Sequence, residues 1–224
     1  MNVIPQRVKD GFVRAIGPMA RALIRAGISP NAITTAGALV IVASATAFAV
    51  GEIRLGGFLL LFSGVFDLLD GQVARLGRRA TDFGAFYDST LDRVGESALF
   101  GGIALYFLRG GVPPARVTLA VGLAIAALGA SLLVSYTRAR AEGLGYECKV
   151  GIAARAERVL LLGLPTLVFG PGRDGWLLFW IIGMLALATA VTVVQRVVHI
   201  GRVAGAAVQR ETLPGRPTVA RKGS

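Results

Sequence analysis

Four aspartates between residues 67 and 92 are the side chains of this chain best suited to chemistry. Asp67 and Asp70 are three residues apart, and Asp88 and Asp92 are four apart, so each pair lies on one face of a helix. The surrounding segments are apolar enough for a membrane, where an acidic side chain costs about 3 kcal/mol. Because Mg2+ and Mn2+ take oxygen ligands, two facing carboxylate pairs predict a two-metal site that leaves room for a diphosphate.

Glycine and arginine residues beside the aspartates fit the same interpretation. Gly71 follows the second aspartate, and Gly84 lies one turn before the third, where the lack of a side chain lets a ligand approach the backbone. The alternative is that the carboxylates only form buried ion pairs with Arg75 and Arg93. Two arginines would leave an acidic excess, and the ion pairs would not explain the glycines.

The whole stretch reads D-x2-D-G-x2-A-R-x8-G-x3-D-x3-D, and this pattern resembles the signature of the CDP-alcohol phosphatidyltransferase family. The resemblance implies that an acceptor hydroxyl attacks the lipid-side phosphorus of a CDP-linked lipid and releases CMP. It implies metal binding by all four aspartates, with Asp92 also acting as general base. The residues that it implies for binding CDP-diacylglycerol are Asn31, Thr34, Gly71, Ala74, Arg75 and Gly84.

Basic residues at three later helix ends suggest a site for an anionic acceptor. Arginines follow the apolar segment at about 116–137, begin the one at about 156–170, and reappear near the end of the one at about 176–199. Together they suit an acceptor phosphate. The alternative is that each arginine is an interfacial anchor, with Arg138 and Glu142 forming a helix pair. Glu96 extends the face of Asp88 and Asp92 by one turn, as a supporting residue or an ion-pair partner of Arg93.

A second resemblance narrows the choice of acceptor. The run Ser-Tyr-x-x-Ala-Arg-Ala-Glu, the later Arg-x-Glu-Arg and the Gln-Arg of the last segment look like those of phosphatidylinositol-phosphate synthases from actinobacteria and archaea. This implies inositol 1-phosphate as the acceptor and phosphatidylinositol phosphate as the product, with glycerol 3-phosphate as the alternative. The acceptor-phosphate residues so implied are Ser135, Arg138, Arg140, Arg155, Arg158 and Arg196.

Composition defines the elements that must position these residues. The chain has 224 residues, 54% of them hydrophobic, and a mean hydropathy of +0.65. Those values predict an all-α, multi-pass membrane protein without a separate soluble domain. The net charge of +11 raises the possibility of nucleic-acid binding. Because the basic residues flank apolar segments, however, we expect membrane phosphates and no nucleic acid as partners.

Hydropathy assigns residues 1–204 to a single membrane domain. Residues 5–25 carry apolar residues at helical spacing opposite Arg7, Arg14 and Arg21, which predicts an amphipathic helix on the membrane surface. Ser29 is expected to cap the next helix, with Pro30 as its first residue. Residues 205–224 are polar and basic and are expected to be disordered. Six spans are predicted at about 32–50, 55–76, 83–108, 116–137, 156–170 and 176–199.

The distribution of basic residues predicts the orientation. Nineteen of the 24 Lys and Arg residues flank one side of these spans and four the other, with Arg93 inside the membrane. The excess predicts that both termini and the active site are on the cytoplasmic side of the cell membrane. The family resemblance further implies a homodimer. Two other hypotheses are a cation transporter, which would favour acids near the bilayer midplane, and a non-catalytic lipid-binding scaffold.

Overall fold

The fold is a bundle of α-helices. The structure is a computed structural model that describes residues 6–211, and this part of the chain contains helices and loops but no strand, which confirms the all-α prediction. The α-helices are α1 (Gln6–Arg25), α2 (Pro30–Val50), α3 (Ile53–Leu76), α4 (Asp82–Tyr106), α5 (Val117–Gly143), α6 (Arg155–Phe169) and α7 (Trp176–Glu211). Short 3-10 or π-helical turns precede α5 and α7.

Six of these helices, α2 to α7, overlap the six predicted spans. Three segments of the described chain are long and apolar enough to cross a membrane: Pro30–Val50, Pro114–Gly143 and Arg173–Ala206. The charged residues of the site lower the hydropathy of α3 and α4, and α6 has only 15 residues. A membrane protein is therefore supported, and the count of six spans stays a prediction.

Side-chain caps begin α2 and α4, two of the helices whose first turns carry site residues. The Ser29 hydroxyl accepts a hydrogen bond from the Ala32 amide at 3.2 Å, with Pro30 as the first helical residue, which confirms the predicted start of α2. The Thr81 hydroxyl accepts from the Gly84 amide at 3.0 Å and begins α4. Each cap satisfies an amide that the first turn leaves without a helical partner.

Glycines let the helices around the core approach closely. A Cβ on Gly57 of α3 would lie 2.5 Å from Thr166 Oγ1 and 2.7 Å from the Leu167 amide nitrogen, both in α6. A Cβ on Gly102 of α4 would overlap the Ala45 carbonyl oxygen of α2. These contacts explain how α2 packs on α4 and α3 on α6, because small residues bring membrane helices together.

The N-terminal helix lies against α3, near the acidic residues. Ile16 and Ala20 of α1 are buried in a cluster with Ile33 of α2 and with Leu69 and Val73 of α3. The predicted helix over residues 5–25 is observed as Gln6–Arg25. Its predicted position on the membrane surface stays a prediction.

The last helix is longer than predicted and braces the preceding loop. Helix α7 continues to Glu211, past the predicted end of the membrane domain at residue 204, while residues 212–224 lie outside the described residues. The Thr192 hydroxyl of α7 accepts hydrogen bonds from the Ile152 and Ala153 amides at 3.3 and 3.1 Å. These bonds fasten the 144–154 loop, and with it the beginning of α6, to α7.

Candidate functional site

Three of the predicted metal ligands come together at one end of the bundle. Asp67 and Asp70 lie near the end of α3, and Asp88 lies near the beginning of α4. One carboxylate oxygen from each residue lies within 4.8 Å of those of the other two. Asp67 is exposed, Asp70 is buried and Asp88 is partly buried. Since hard divalent cations take carboxylate oxygens, the cluster has the donors that such a cation needs.

Two features of the cluster test whether a cation fits there. Asp88 Oδ1 is buried and has no hydrogen-bond partner among the described residues, and a buried carboxylate oxygen without a partner is unfavourable unless something else satisfies it. Asp70 Oδ2 accepts a hydrogen bond of 2.8 Å from the Thr34 hydroxyl, which orients the carboxylate. An orphaned oxygen and an oriented carboxylate among acidic neighbours fit a metal site.

The fourth aspartate lies one helical turn from the cluster and has a different partner. Asp92 Oδ1 lies 2.7 Å from Arg155 Nη1 of α6, and Asp92 Oδ2 lies 3.8 Å from Arg93 Nη1. The Arg93 guanidinium also donates to the Ser89 carbonyl. Asp92 therefore lies on the predicted face of α4, where it is paired with arginine, while its predicted roles as metal ligand and base stay predictions.

A cleft is lined by the four aspartates and Arg155. Its walls come from the beginnings of α2, α4 and α6 and from the end of α3. Thr34, Gly37 and Ser63 contribute polar or small groups to the lining, and Ile41 contributes an apolar side chain. The cleft therefore brings together carboxylates and one cation from three different helices.

Of the residues expected to bind the CDP-lipid, Thr34 lines this cleft, and the others lie elsewhere on α2, α3 and α4. A Cβ on Gly84 would lie 3.1 Å from Thr81 Oγ1 and 3.3 Å from Asn31 Oδ1, so Asn31 and Gly84 are neighbours. The exposed Arg75 folds over Gly71, whose Cβ would lie 3.3 Å from Arg75 Nη1. Ala74, which precedes Arg75 on α3, is partly buried. The Thr34 hydroxyl donates its hydrogen bond to Asp70.

The residues expected to bind the acceptor phosphate divide into exposed and buried groups. Arg138 and Arg140 are exposed near the end of α5, and Ser135 is partly buried one turn earlier. Arg138 Nε donates to Glu142 Oε1 at 2.8 Å, which is the helix pair considered as the alternative. Among the predicted acceptor residues, Arg155 lines the cleft.

Two predicted acceptor residues, Arg158 and Arg196, are buried and have protein partners. Arg196 donates to the Val150 carbonyl at 3.0 Å and to the Val134 carbonyl, so it joins α7 to the loop and to α5. Arg158 forms an ion pair with the buried Glu96. Glu96 therefore pairs with Arg158, and the suggested pairing with Arg93 was wrong. Direct phosphate contact by either arginine stays a prediction.

The Glu96–Arg158 pair was missed by sequence reasoning, although a signal for it existed. Glu96 lies four residues after Asp92, and Arg158 lies three residues after Arg155. If Asp92 meets Arg155, the next turns of the same faces bring Glu96 to Arg158. The signal required knowing that α4 faces α6, which spacing within one helix does not give.

Comparison with known proteins gives a match over most of the chain. A family model for CDP-alcohol phosphatidyltransferase matches residues 27–202. A phosphatidylinositol phosphate synthase of Cutibacterium acnes is 37% identical over 205 residues, which cover 88% of this chain and 97% of the relative. An archaetidylinositol phosphate synthase of Methanothermobacter thermautotrophicus is 40% identical over 198 residues, which cover 86% of this chain and 96% of the relative.

Solved structures of one enzyme share the fold. The phosphatidylinositol phosphate synthase of Mycobacterium tuberculosis with CDP-DAG bound has a TM-score of 0.73 and 30% identity, and the match covers 92% of this chain and all of that one. The same enzyme in complex with manganese and citrate has a TM-score of 0.72 and 31% identity, with coverage of 92% and 95%.

Proposed function

The chain belongs to the CDP-alcohol phosphatidyltransferase family, and from that premise we propose that it transfers the phosphatidyl group of CDP-diacylglycerol to inositol 1-phosphate. The products are CMP and phosphatidylinositol phosphate. The observation that carries this proposal is the cluster of Asp67, Asp70 and Asp88 in a cleft that also contains Asp92 and Arg155. Family membership favours this transferase over the transporter and scaffold hypotheses.

The aspartate cluster is proposed to hold Mg2+ or Mn2+, with Asp92 sharing one of two ions. A relative of the same fold has been solved with manganese, and the unpartnered Asp88 Oδ1 supports the same assignment here. Bound metal would neutralise the donor diphosphate and stabilise negative charge on the departing CMP. Asn31, Gly71, Arg75 and Gly84 are proposed to bind the CDP part of the donor, together with Thr34 and Ala74.

Asp92 is the proposed general base. The acceptor hydroxyl oxygen forms a bond to the lipid-side phosphorus while its proton passes to the Asp92 carboxylate. The bond from that phosphorus to the CMP oxygen breaks, and its electron pair leaves with CMP. A base must lie within hydrogen-bond reach of the proton that it takes. Asp92, one turn beyond the cluster and at the wall of the cleft, suits that role.

An anionic acceptor is supported by the cation in the cleft. Arg155 is partly exposed and can present a guanidinium to a phosphate in the fork geometry that arginine favours. The exposed Arg138 and Arg140, with Ser135, are proposed to complete the phosphate site. Arg158 and Arg196 are proposed to support it from buried positions. Inositol 1-phosphate is preferred over glycerol 3-phosphate because the matched relatives are named as inositol phosphate synthases.

In the membrane, α2 to α7 are proposed as six spans, with α1 at the cytoplasmic surface. The positive-inside bias would place the cleft and both termini on the cytoplasmic side of the cell membrane. The cleft lies at the end of the bundle that carries the 144–154 loop, where a soluble acceptor can meet a lipid headgroup. A homodimer is proposed from the family resemblance.

The test of function is CMP release by the purified protein with CDP-diacylglycerol and Mg2+ or Mn2+. Inositol 1-phosphate, free inositol, glycerol 3-phosphate and serine are offered separately, with CDP-archaeol as a second donor because one relative is an archaetidylinositol phosphate synthase. We expect release only with inositol 1-phosphate and loss of release after chelation of the metal. Release with glycerol 3-phosphate alone would change the product, and no release with either donor would reject the proposed activity.

A further inference from the structure

Two ion pairs, one helical turn apart, join α4 to α6. Asp92 of α4 meets Arg155 of α6 at 2.7 Å, and Glu96 of α4 meets Arg158 of α6. The four-residue step on α4 and the three-residue step on α6 each advance about one turn. The two pairs therefore act at successive levels, the first at the cleft and the second deeper in the bundle.

These pairs cross a gap between the two helices. A small cavity of about 30 Å3 adjoins the cleft, and its walls include Glu96 and Leu99 of α4 and Arg158 and Leu162 of α6. Arg155 lines both this cavity and the cleft. Helix α4 packs on α2 and α5, whereas α6 packs on α3 and α7. The long arginine side chains thus provide a direct connection between α4 and α6 at this level.

The deeper pair is the more deeply buried of the two. The side chains of Arg158 and Glu96 are 6% and 11% exposed, compared with 26% and 20% for Arg155 and Asp92. Arg158 also donates to the Ala153 carbonyl at 2.9 Å, just before α6 begins. Because removal of one partner would leave a buried charge uncompensated, this pair is a fixed connection. The Asp92–Arg155 pair is partly exposed, so Arg155 can exchange partners.

We propose that Glu96 and Arg158 are positioning residues for acceptor binding. Their ion pair, with the Ala153 hydrogen bond, holds the first turn of α6 so that Arg155 reaches the Asp92 side of the cleft, where it can bind the acceptor phosphate. This inference rests on the proposed function, and it gives Arg158 a role that requires no contact with substrate. Loss of the pair would then weaken acceptor binding more than donor binding.

The test replaces both members with apolar side chains of similar volume, as Glu96→Leu/Arg158→Met, because such double replacements usually leave a fold intact. CMP release is measured against acceptor and CDP-diacylglycerol concentration separately. We expect the KM for the acceptor to rise about tenfold, as for the loss of one good phosphate hydrogen bond. The KM for the donor and the thermal midpoint should stay close to those of the wild type.

The matched control is Glu147→Leu/Lys149→Met, which removes an exposed ion pair from the 144–154 loop and should change neither KM. A second variant, Arg158→Lys, keeps a charge opposite Glu96 but cannot also reach Ala153 with a planar fork. It should raise the acceptor KM by a smaller factor. This variant decides the question if the double variant does not fold.

Two results would overturn the positioning role: unchanged constants, or an equal loss of donor and acceptor affinity. Binding of inorganic phosphate, measured by titration calorimetry, gives a readout that does not depend on turnover. If the wild type releases no CMP with any acceptor, the proposed function fails. Calorimetry still tests the positioning role in that case, because equal phosphate affinities of the wild type and the variants would overturn it.

Discussion

Asp92 has a different environment from the three aspartates beside it. Asp67, Asp70 and Asp88 bring their oxygens together, whereas Asp92 turns toward Arg155. A carboxylate that is paired with an exchangeable cation, next to a cluster of metal-type ligands, is suited to receive a proton when an anionic acceptor binds that cation. Three aspartates are therefore proposed for metal binding alone, whereas Asp92 is proposed both to share a metal ion and to take the proton.

For the Asp92→Asn variant we expect donor binding to remain and turnover to fall by about 10^2 to 10^4, the usual contribution of a general base. The amide keeps the shape of the side chain but cannot take the proton. CDP-diacylglycerol binding and single-turnover CMP release are measured on the same preparation. Turnover close to that of the wild type would exclude Asp92 as the base.

Asp88→Asn tests the metal site without using turnover. Replacing a carboxylate by an amide removes a charge from the cluster, so Mn2+ affinity, measured by electron paramagnetic resonance titration, should fall at least about tenfold. Asp82→Asn is the matched control, because Asp82 is exposed in the first turn of the same helix. Equal affinities for the two variants would contradict a metal role for Asp88.

The clustering of Asp67, Asp70 and Asp88 could be predicted from the sequence because its signal is local. Spacing of three or four residues on one helix determines a common face, and only the orientation of two helices remained to be found. The Thr34–Asp70 hydrogen bond joins residues 36 apart, and the Arg158–Glu96 pair joins residues 62 apart. Contacts at that separation depend on how the helices pack, so they became evident only in the structure.

At the scale of helices, close packing depends on glycines that a hydropathy profile does not distinguish. Gly101 and Gly102 are adjacent in α4, yet a Cβ on Gly101 would meet nothing within 4 Å, while one on Gly102 would overlap the Ala45 carbonyl oxygen. The two neighbours therefore have different roles. One is exposed, and the other sets the distance between α2 and α4.

This difference predicts opposite effects of the same substitution. Gly102→Ala should lower the free energy of unfolding by about 1 to 3 kcal/mol, because the helices must separate to admit the methyl group. Gly101→Ala should leave it unchanged or raise it by up to about 1 kcal/mol through helix propensity. Thermal unfolding in detergent measures both, and equal midpoints would contradict the packing of α2 against α4.

Some helix boundaries could be predicted from the sequence, and others could not. The beginning of α2 was predicted from Ser29 and Pro30, because capping is a local signal. The end of α7 was not, since its final turns continue beyond the apolar segment that hydropathy identifies. Similarly, α5 runs to Gly143, past the predicted end at residue 137, because the basic stretch after the apolar residues is itself a good helix former.

For the whole molecule, the site and the turn before α7 lie at opposite ends of the bundle. The cleft lies where α3 ends and α4 begins, and residues 170–175 join the far ends of α6 and α7. If the positive-inside bias sets the orientation, the 144–154 loop faces the cytoplasm and the turn at 170–175 faces outward.

Cysteine labelling tests this orientation, since the chain has one cysteine, Cys148, and it is buried. In a Cys148→Ser background, Arg173→Cys should react with a membrane-impermeant maleimide on intact cells of the expression host. Lys149→Cys should react only after the membrane is opened, although both positions are highly exposed. The reverse pattern would invert the proposed topology.

The residues assigned to the two substrates come from different halves of the chain. Those proposed for the CDP-lipid and metal lie between Asn31 and Asp92, in α2 to α4, and those proposed for the acceptor lie between Ser135 and Arg196, in α5 to α7. The halves meet where Asp92 contacts Arg155. A family built this way can acquire a new acceptor by altering its C-terminal half alone, while inheriting the donor chemistry unchanged.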